Sequence, residues 1–344
     1  RVGAPPLFSG DDFAQGAATL SVPVFTGGRI SSSIEAAEAR GRGAGAQVTG
    51  AEQDLRLAVA DAYVGVLRAR RALAVADSNV RSLEALVSDV SAMFESELVP
   101  KNDLLAVQVA LADARQNRLR AANTAEIALA AYNRRLGEPL DRPADLEETL
   151  PAPAELPGEL AALVALATER RTELDALGEQ ARAYGQMAKA ERARLLPQVT
   201  VSGGYNYLEN QFLDEEAVAM AGVGVQWALF DGGQTRKRAA ALDRNRRASE
   251  EQRADVESLI GLQVRQAWLG VEETQQRVRV TADAVDQAEE NLRIARERYG
   301  AGLGTQTQLL EAETLRVQAL TNRDDAVLDA GLARLRLARA VGSL

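Results

Sequence analysis

The 344-residue chain contains no cysteine and no histidine. The first absence removes disulfides and thiol nucleophiles, the second removes imidazole bases, and together they remove the commonest zinc ligands. No phosphate loop, metal cluster or nucleophile beside a base is found, so neither an enzyme nor a cofactor is expected. Aromatic residues are scarce, 4% against 46% hydrophobic residues, and the alanine-rich remainder suits long, closely packed helices better than a thick core. A basic excess is missing too. The net charge of -9 disfavours nucleic acid, whose phosphates need a cationic surface. No stretch of about 18 apolar residues exists, which argues against a transmembrane helix but is silent about membrane strands. The chain opens on Arg1-Val2-Gly3 without a methionine and is expected to be truncated at its N-terminus.

What is present is a repeat at a spacing of 205 residues. Phe25, Gly27 and Gly28 recur as Phe230, Gly232 and Gly233, Ala62-Tyr63-Val64 as Ala267-Trp268-Leu269, Leu104-Leu105 as Leu309-Leu310, and Gly137 as Gly342. No gap is needed, so length itself is constrained.

Each Gly-Gly opens a long alanine-rich segment with helical spacing of apolar residues, as at Leu55, Val59, Ala62 and Val66. Helices are expected at about 29–97 and 234–298, the first roughly 100 Å long at 1.5 Å per residue. Four glycines between Gly41 and Gly50 make a kink plausible there. The chain turns at Pro100, and again at Gly300, Gly302 and Gly304, and returning helices are expected at about 103–136 and 306–341. A proline-dense connector, 138–171, holds Pro139, Pro143, Pro151, Pro153 and Pro157 with a short helix near 158–168, and a further helix follows at 172–195. Residues 1–137 thus read as a first repeat and 172–344 as a second. The helices alone fit a self-contained coiled-coil spacer equally well.

Residues 197–207 alternate: Val199, Val201, Gly203, Tyr205 and Tyr207 face one side, and Thr200, Ser202, Gly204 and Asn206 the other. That is the length of a tilted membrane strand, with Tyr205 and Tyr207 placed for an interfacial belt. An acidic loop, 209–216, leads to a second alternating run, 217–230, which carries Trp227. The first repeat supplies one strand, 14–25, with Pro23 expected at its end because proline removes a ladder donor. The missing fourth strand falls before residue 1. Such a sheet has open edges, so several chains must close one barrel in contact with outer lipid.

Taken together, Leu196-Pro197-Gln198 before a strand, Trp227-Ala228-Leu229-Phe230-Asp231-Gly232-Gly233 entering a helix, and Tyr299-Gly300-Ala301-Gly302-Leu303-Gly304-Thr305 at a tip resemble the TolC-like outer-membrane efflux protein family. The resemblance implies a mainly helical fold with membrane β-strands: a homotrimer with a twelve-stranded outer-membrane barrel continued by a helical tunnel through the periplasm. It implies partners as well, a periplasmic adaptor (membrane fusion protein) and an inner-membrane transporter of a tripartite efflux pump or type I secretion system. The connector would match the family's equatorial band.

The resemblance also assigns the tips. Tyr299 and Asp103 match positions that tie the gate closed, and a hydrogen bond between them is expected, against the plainer reading of a packed ring and a helix cap. Gln308 and Glu311 fall at the constriction, where the family pattern has two acidic residues and a basic one near Gly304, so one acidic ring, Glu311, remains. Leu98, Val99, Gly302 and Leu303 are expected to dock the adaptor, or simply to pack. The alternative to a channel is a soluble or periplasmic coiled-coil scaffold or adaptor, which needs no eleven-residue alternating strands.

Overall fold

Glycine decides where the long helices begin. In the computed structural model, which describes residues 14–148, 156, 158–209 and 217–344, Gly27, Gly28, Gly232 and Gly233 all have φ between 61° and 85°. Only glycine enters that left-handed region without steric cost. Helix α1 (Arg29–Glu95) and helix α5 (Gln234–Gly300) follow, each of 67 residues, and both ends keep the offset of 205. Equivalent side chains cap both starts: Thr26 Oγ1 accepts from Ile30 N at 3.5 Å, and the Asp231 carboxylate accepts from Gly233 N at 2.9 Å and Thr235 N at 2.8 Å. These bonds, led by those from Thr235, hold the Asp231 carboxyl below its ordinary pKa.

The other helices are α2 (Lys101–Leu136), α3 (Leu160–Arg170), α4 (Thr172–Arg192, followed by a 3-10 turn) and α6 (Gln306–Ala340). Strands β1 (Ala14–Phe25), β2 (Gln198–Glu209) and β3 (Ala217–Gln226) form one antiparallel sheet in that order. The acidic loop at 210–216, with its Glu215-Glu216 pair, and connector prolines 151, 153 and 157 lie outside the described residues.

The described chain divides into two compact units, 1–47 with 173–255 and 48–172 with 256–344, so each unit draws on both sequence repeats. In the first unit the side chain of Gln198 binds the start of β2 to its surroundings. Its Nε2 lies 3.2 Å from the carbonyls of Thr26, Ala193 and Leu196, and its Oε1 accepts from Arg29 at 3.3 Å. In the second unit Asn133, 2% exposed, donates to the carbonyls of Leu140 (3.0 Å) and Arg142 (2.8 Å). Tyr63 donates to Glu147 O at 2.6 Å and Arg70 to Ala144 O at 2.7 Å, so the described part of the connector lies along α1.

Three expectations change. Helix α1 is unbroken through Gly41–Gly50, because two of those glycines are contact points rather than hinges. A Cβ on Gly43 would sit 3.5 Å from Ala176 O, and one on Gly50 would sit 2.9 Å from Thr172 Oγ1. Strand β3 stops at Gln226, not at residue 230, where Trp227 leaves the ladder and its indole N–H donates to Leu195 O at 3.0 Å. Pro23 is paired with Thr200 inside β1, beside a bulge between Pro23 and Phe25 that absorbs the lost donor.

The second helices of the two repeats end on Gly137 (φ 73°) and Gly342 (φ 74°), but their surroundings differ. Space beside Gly137 is open, whereas a Cβ on Gly342 would meet Arg170 O at 2.9 Å and Arg170 C at 3.0 Å. Gly137→Ala should therefore cost about 1–2 kcal/mol, the left-handed penalty alone, and Gly342→Ala measurably more. Thermal unfolding of both variants checks this, and equal losses would refute it.

Candidate functional site

Two sites follow from the fold: the faces of the sheet and the tips of the helical hairpins. On the sheet, register places like on like. Val201 lies opposite Val22 and Val223, Val199 opposite Val225, and Tyr205 opposite Ala18 and Ala219. Val201, Val223, Val225 and Leu20 are all exposed, and Thr200, Ser202, Thr19 and Ser21 share the other face. One face is therefore a continuous apolar surface and the other is mostly polar. Tyr205 and Trp227 are about half exposed and Tyr207 is partly buried.

At the tips both hairpins turn with one device. The backbone N–H of Glu97 donates to Phe94 O and that of Leu98 to Met93 O, and Gly302 and Leu303 repeat the pair onto Tyr299 O and Arg298 O. This cap needs a left-handed residue, which the second tip supplies as Gly302 (φ 74°) and the first as Glu97 (φ 59°). The helices that start beyond the turns differ more. Thr305 and Gln308 form a reciprocal capping box at 3.2 and 3.3 Å, whereas Pro100 caps α2 with no side-chain bond. Gln308, expected at the constriction, thus has its side chain committed to the cap.

A buried cluster of Val90, Val107, Leu292, Tyr299, Leu309 and Ala312 joins the two hairpins above the turns, with Val99 packed against it. Tyr299 is 8% exposed, and its hydroxyl makes no hydrogen bond among the described residues. Burial, and then the charge of Asp103, raises its pKa. The expected Tyr299–Asp103 hydrogen bond is accordingly not made. The ring is held by packing, and the Asp103 carboxylate accepts instead from Asn102 at 3.2 Å. The polar tie between the hairpins is one that periodicity could not show: buried Gln306 donates its amide to the main-chain carbonyl of Asp103.

Farther up α6 lies a second unforeseen tie. Glu313 is 4% exposed and accepts from Arg316 (2.9 Å), Arg296 of α5 (3.2 Å) and Ser82 of α1 (2.9 Å), and Arg296 also donates to Ser82. Partners on three helices offset the cost of burying the carboxylate. Glu311, by contrast, is exposed with no ion pair among the described residues. Leu98 and Leu303, equivalent positions on the two tips, are 74% and 73% exposed, whereas Val99 is partly buried.

The pattern that describes the outer membrane efflux protein matches residues 10–138 and 163–343, and the chain belongs to that family. A curated relative, the outer membrane efflux protein BepC of Brucella suis, is 28% identical over 148 residues, 43% of this chain and 32% of its own length. The matched stretch therefore spans about a third of that relative. Among solved structures, the outer membrane protein VceC of Vibrio cholerae superimposes with a TM-score of 0.81 at 19% identity, covering 96% of this chain and 87% of its own. The MtrE outer membrane channel of Neisseria gonorrhoeae does so with a TM-score of 0.78 at 20% identity, covering 96% and 80%. The family's place is the outer membrane, with its helices reaching into the periplasm.

Two outcomes follow. Val223→Arg puts a charge on the apolar face and should cost about 2–4 kcal/mol in lipid. Ser202→Arg, on the polar face, should leave assembly intact, and recovery of folded protein from outer membranes measures both. Glu97→Gly relieves the left-handed strain and should raise stability by about 1 kcal/mol, read as a higher unfolding temperature.

Proposed function

We propose that this chain is a subunit of a trimeric outer-membrane channel, the exit duct of a tripartite efflux pump or type I secretion system, gated at its helical tips. The observation that carries the reading is the sheet: three amphipathic strands whose outer edges, on β1 and β3, have no partner among the described residues. An unpaired edge in hydrocarbon costs several kcal/mol per group, so strands of neighbouring copies must close the barrel. Helices of 67 residues then continue from both sides of the sheet. A coiled-coil scaffold has no use for the apolar sheet face, and a small periplasmic adaptor none for strands of this length.

In this reading Tyr205, Tyr207 and Trp227 lie in the interfacial belt. Leu98 and Leu303, with Gly302 shaping the second turn and Val99 supporting the first, present apolar knobs to a periplasmic adaptor that is bound to an inner-membrane transporter. The gate rests on Asp103 and Tyr299 through packing and the Gln306 bond. Gln308 fixes the start of α6, which sets the height of Glu311 as an acidic ring in the trimer. The repeats, 1–137 and 172–344, form the two sides of each subunit's share of the tunnel, with 138–171 as the equatorial band.

Reconstitution in a planar bilayer tests the channel, and a protein that extracts as a soluble monomer without conductance would end the reading. Gln306→Ala removes the tie between hairpins, worth about 1 kcal/mol, and should raise closed-state conductance. Tyr299→Phe, which deletes a hydroxyl that makes no bond, should not change it. Block by multivalent cations should weaken in Glu311→Gln, and unaltered block would remove Glu311 from the constriction.

A further inference from the structure

On the second unit, a cavity of about 580 Å³ is walled by α1, α5 and α6, and three guanidinium groups, Arg71, Arg279 and Arg334, line it beside Glu148. Arg71 donates to the Glu148 carbonyl at 3.4 Å. Arg279 and Arg334 are exposed and have neither an ion pair nor a side-chain hydrogen bond among the described residues. Every other arginine of α6 is paired: Arg316 with Glu313, Arg323 with Asp324, Arg336 with Asp61 and Arg339 with Asp54. The cavity is thus a recess with three guanidinium groups against the single carboxylate of Glu148 among the described residues.

Its height along the helices is known from the repeat. Glu126 stands as far along α2 from Lys101 as Gly331, in the cavity wall, stands along α6 from Gln306. The Arg277–Asp329 ion pair at 2.6 Å sets α5 against α6, which puts Arg279 about one helical turn tipward of that level. Glu126 is exposed and has no partner among the described residues. Around it α2 shows an exposed apolar stripe, Val109, Leu119 and Ile127, and α5 shows another, Leu262, Leu269, Val280 and Ile294. Within these stripes Arg120 on α2 and Asp283 on α5 are likewise without side-chain partners.

We propose that the recess is half of a seam between copies of this chain: Glu126 of a second copy enters it and pairs with Arg279 and Arg334. The proposal rests on the trimeric reading above and adds which surfaces meet. A rotation axis that runs along the helices moves every residue around the ring at constant height. Two faces of one subunit can therefore meet across a seam only if their complementary groups stand at equal heights. Glu126 and the arginines meet that condition to within about one helical turn, a gap their long side chains span, and carry opposite charges, and Arg120 and Asp283 repeat it with the signs exchanged. The apolar stripes supply the contact that these exposed ion pairs alone would not.

Charge reversal in the full-length chain tests it. Glu126→Arg, the pair Arg279→Glu with Arg334→Glu, and all three changes together are compared by the temperature at which detergent-extracted trimer falls to monomer on an unboiled gel. Either one-sided reversal sets like charges against each other at all three seams and lowers that temperature, and the combination restores it toward wild type. A combination no more stable than its parents, or one-sided reversals without effect on a trimeric wild type, overturns the seam. A wild-type chain that runs as a monomer overturns the trimer itself, a separate failure visible in the same gel.

Discussion

A backbone amide left without a partner in hydrocarbon costs several kcal/mol, and the outer edges of β1 and β3, unpaired among the described residues, are where the proposed membrane sheet meets that constraint. The rest of the molecule can be derived from it. In the proposed channel the sheet is completed by strands of other copies, and the apolar face made by Leu20, Val22, Val201, Val223 and Val225 turns toward lipid. Helices α1 and α5 have 67 residues each, and the left-handed residues that start and stop helices recur at one offset, so the two hairpins of one chain agree in length.

Equal length does not mean equal ends. The first tip turns on Glu97 and restarts at an uncapped Pro100, whereas the second turns on Gly302 and restarts at a complete capping box. The second tip is therefore the one whose local backbone is relaxed and whose helix start is held at both N–H and side chain.

Polar side chains in buried or half-buried places do the cross-linking. Gln198 binds the start of β2 to the Gly-Gly turn, Asn133 holds the connector, Gln306 joins α6 to α2, and Glu313 joins α6 to α5 and α1. Asn133, Gln306 and Glu313 do not stand out in the sequence, since a polar residue on an amphipathic helix reads as solvated surface. A buried group of this kind shows itself only when the neighbouring helix is in place. The same holds for Gly43 and Gly50, which weaken helix propensity locally yet permit close approach of α4 and of the residue that begins it.

Much of the architecture was legible in the chain alone. Period-two alternation located β2, the Gly-Gly pairs located the starts of α1 and α5, and the offset of 205 tied the two hairpins together, because these signals are local and repeat. Tertiary structure decided what depends on neighbours: that β3 ends where the Trp227 indole finds Leu195 O, that Tyr299 is held by packing without bonding Asp103, and that Gln308 caps its own helix. Periodicity records which face a residue occupies. It carries no information about which atom of another element waits there, and hydrogen bonds are made between atoms.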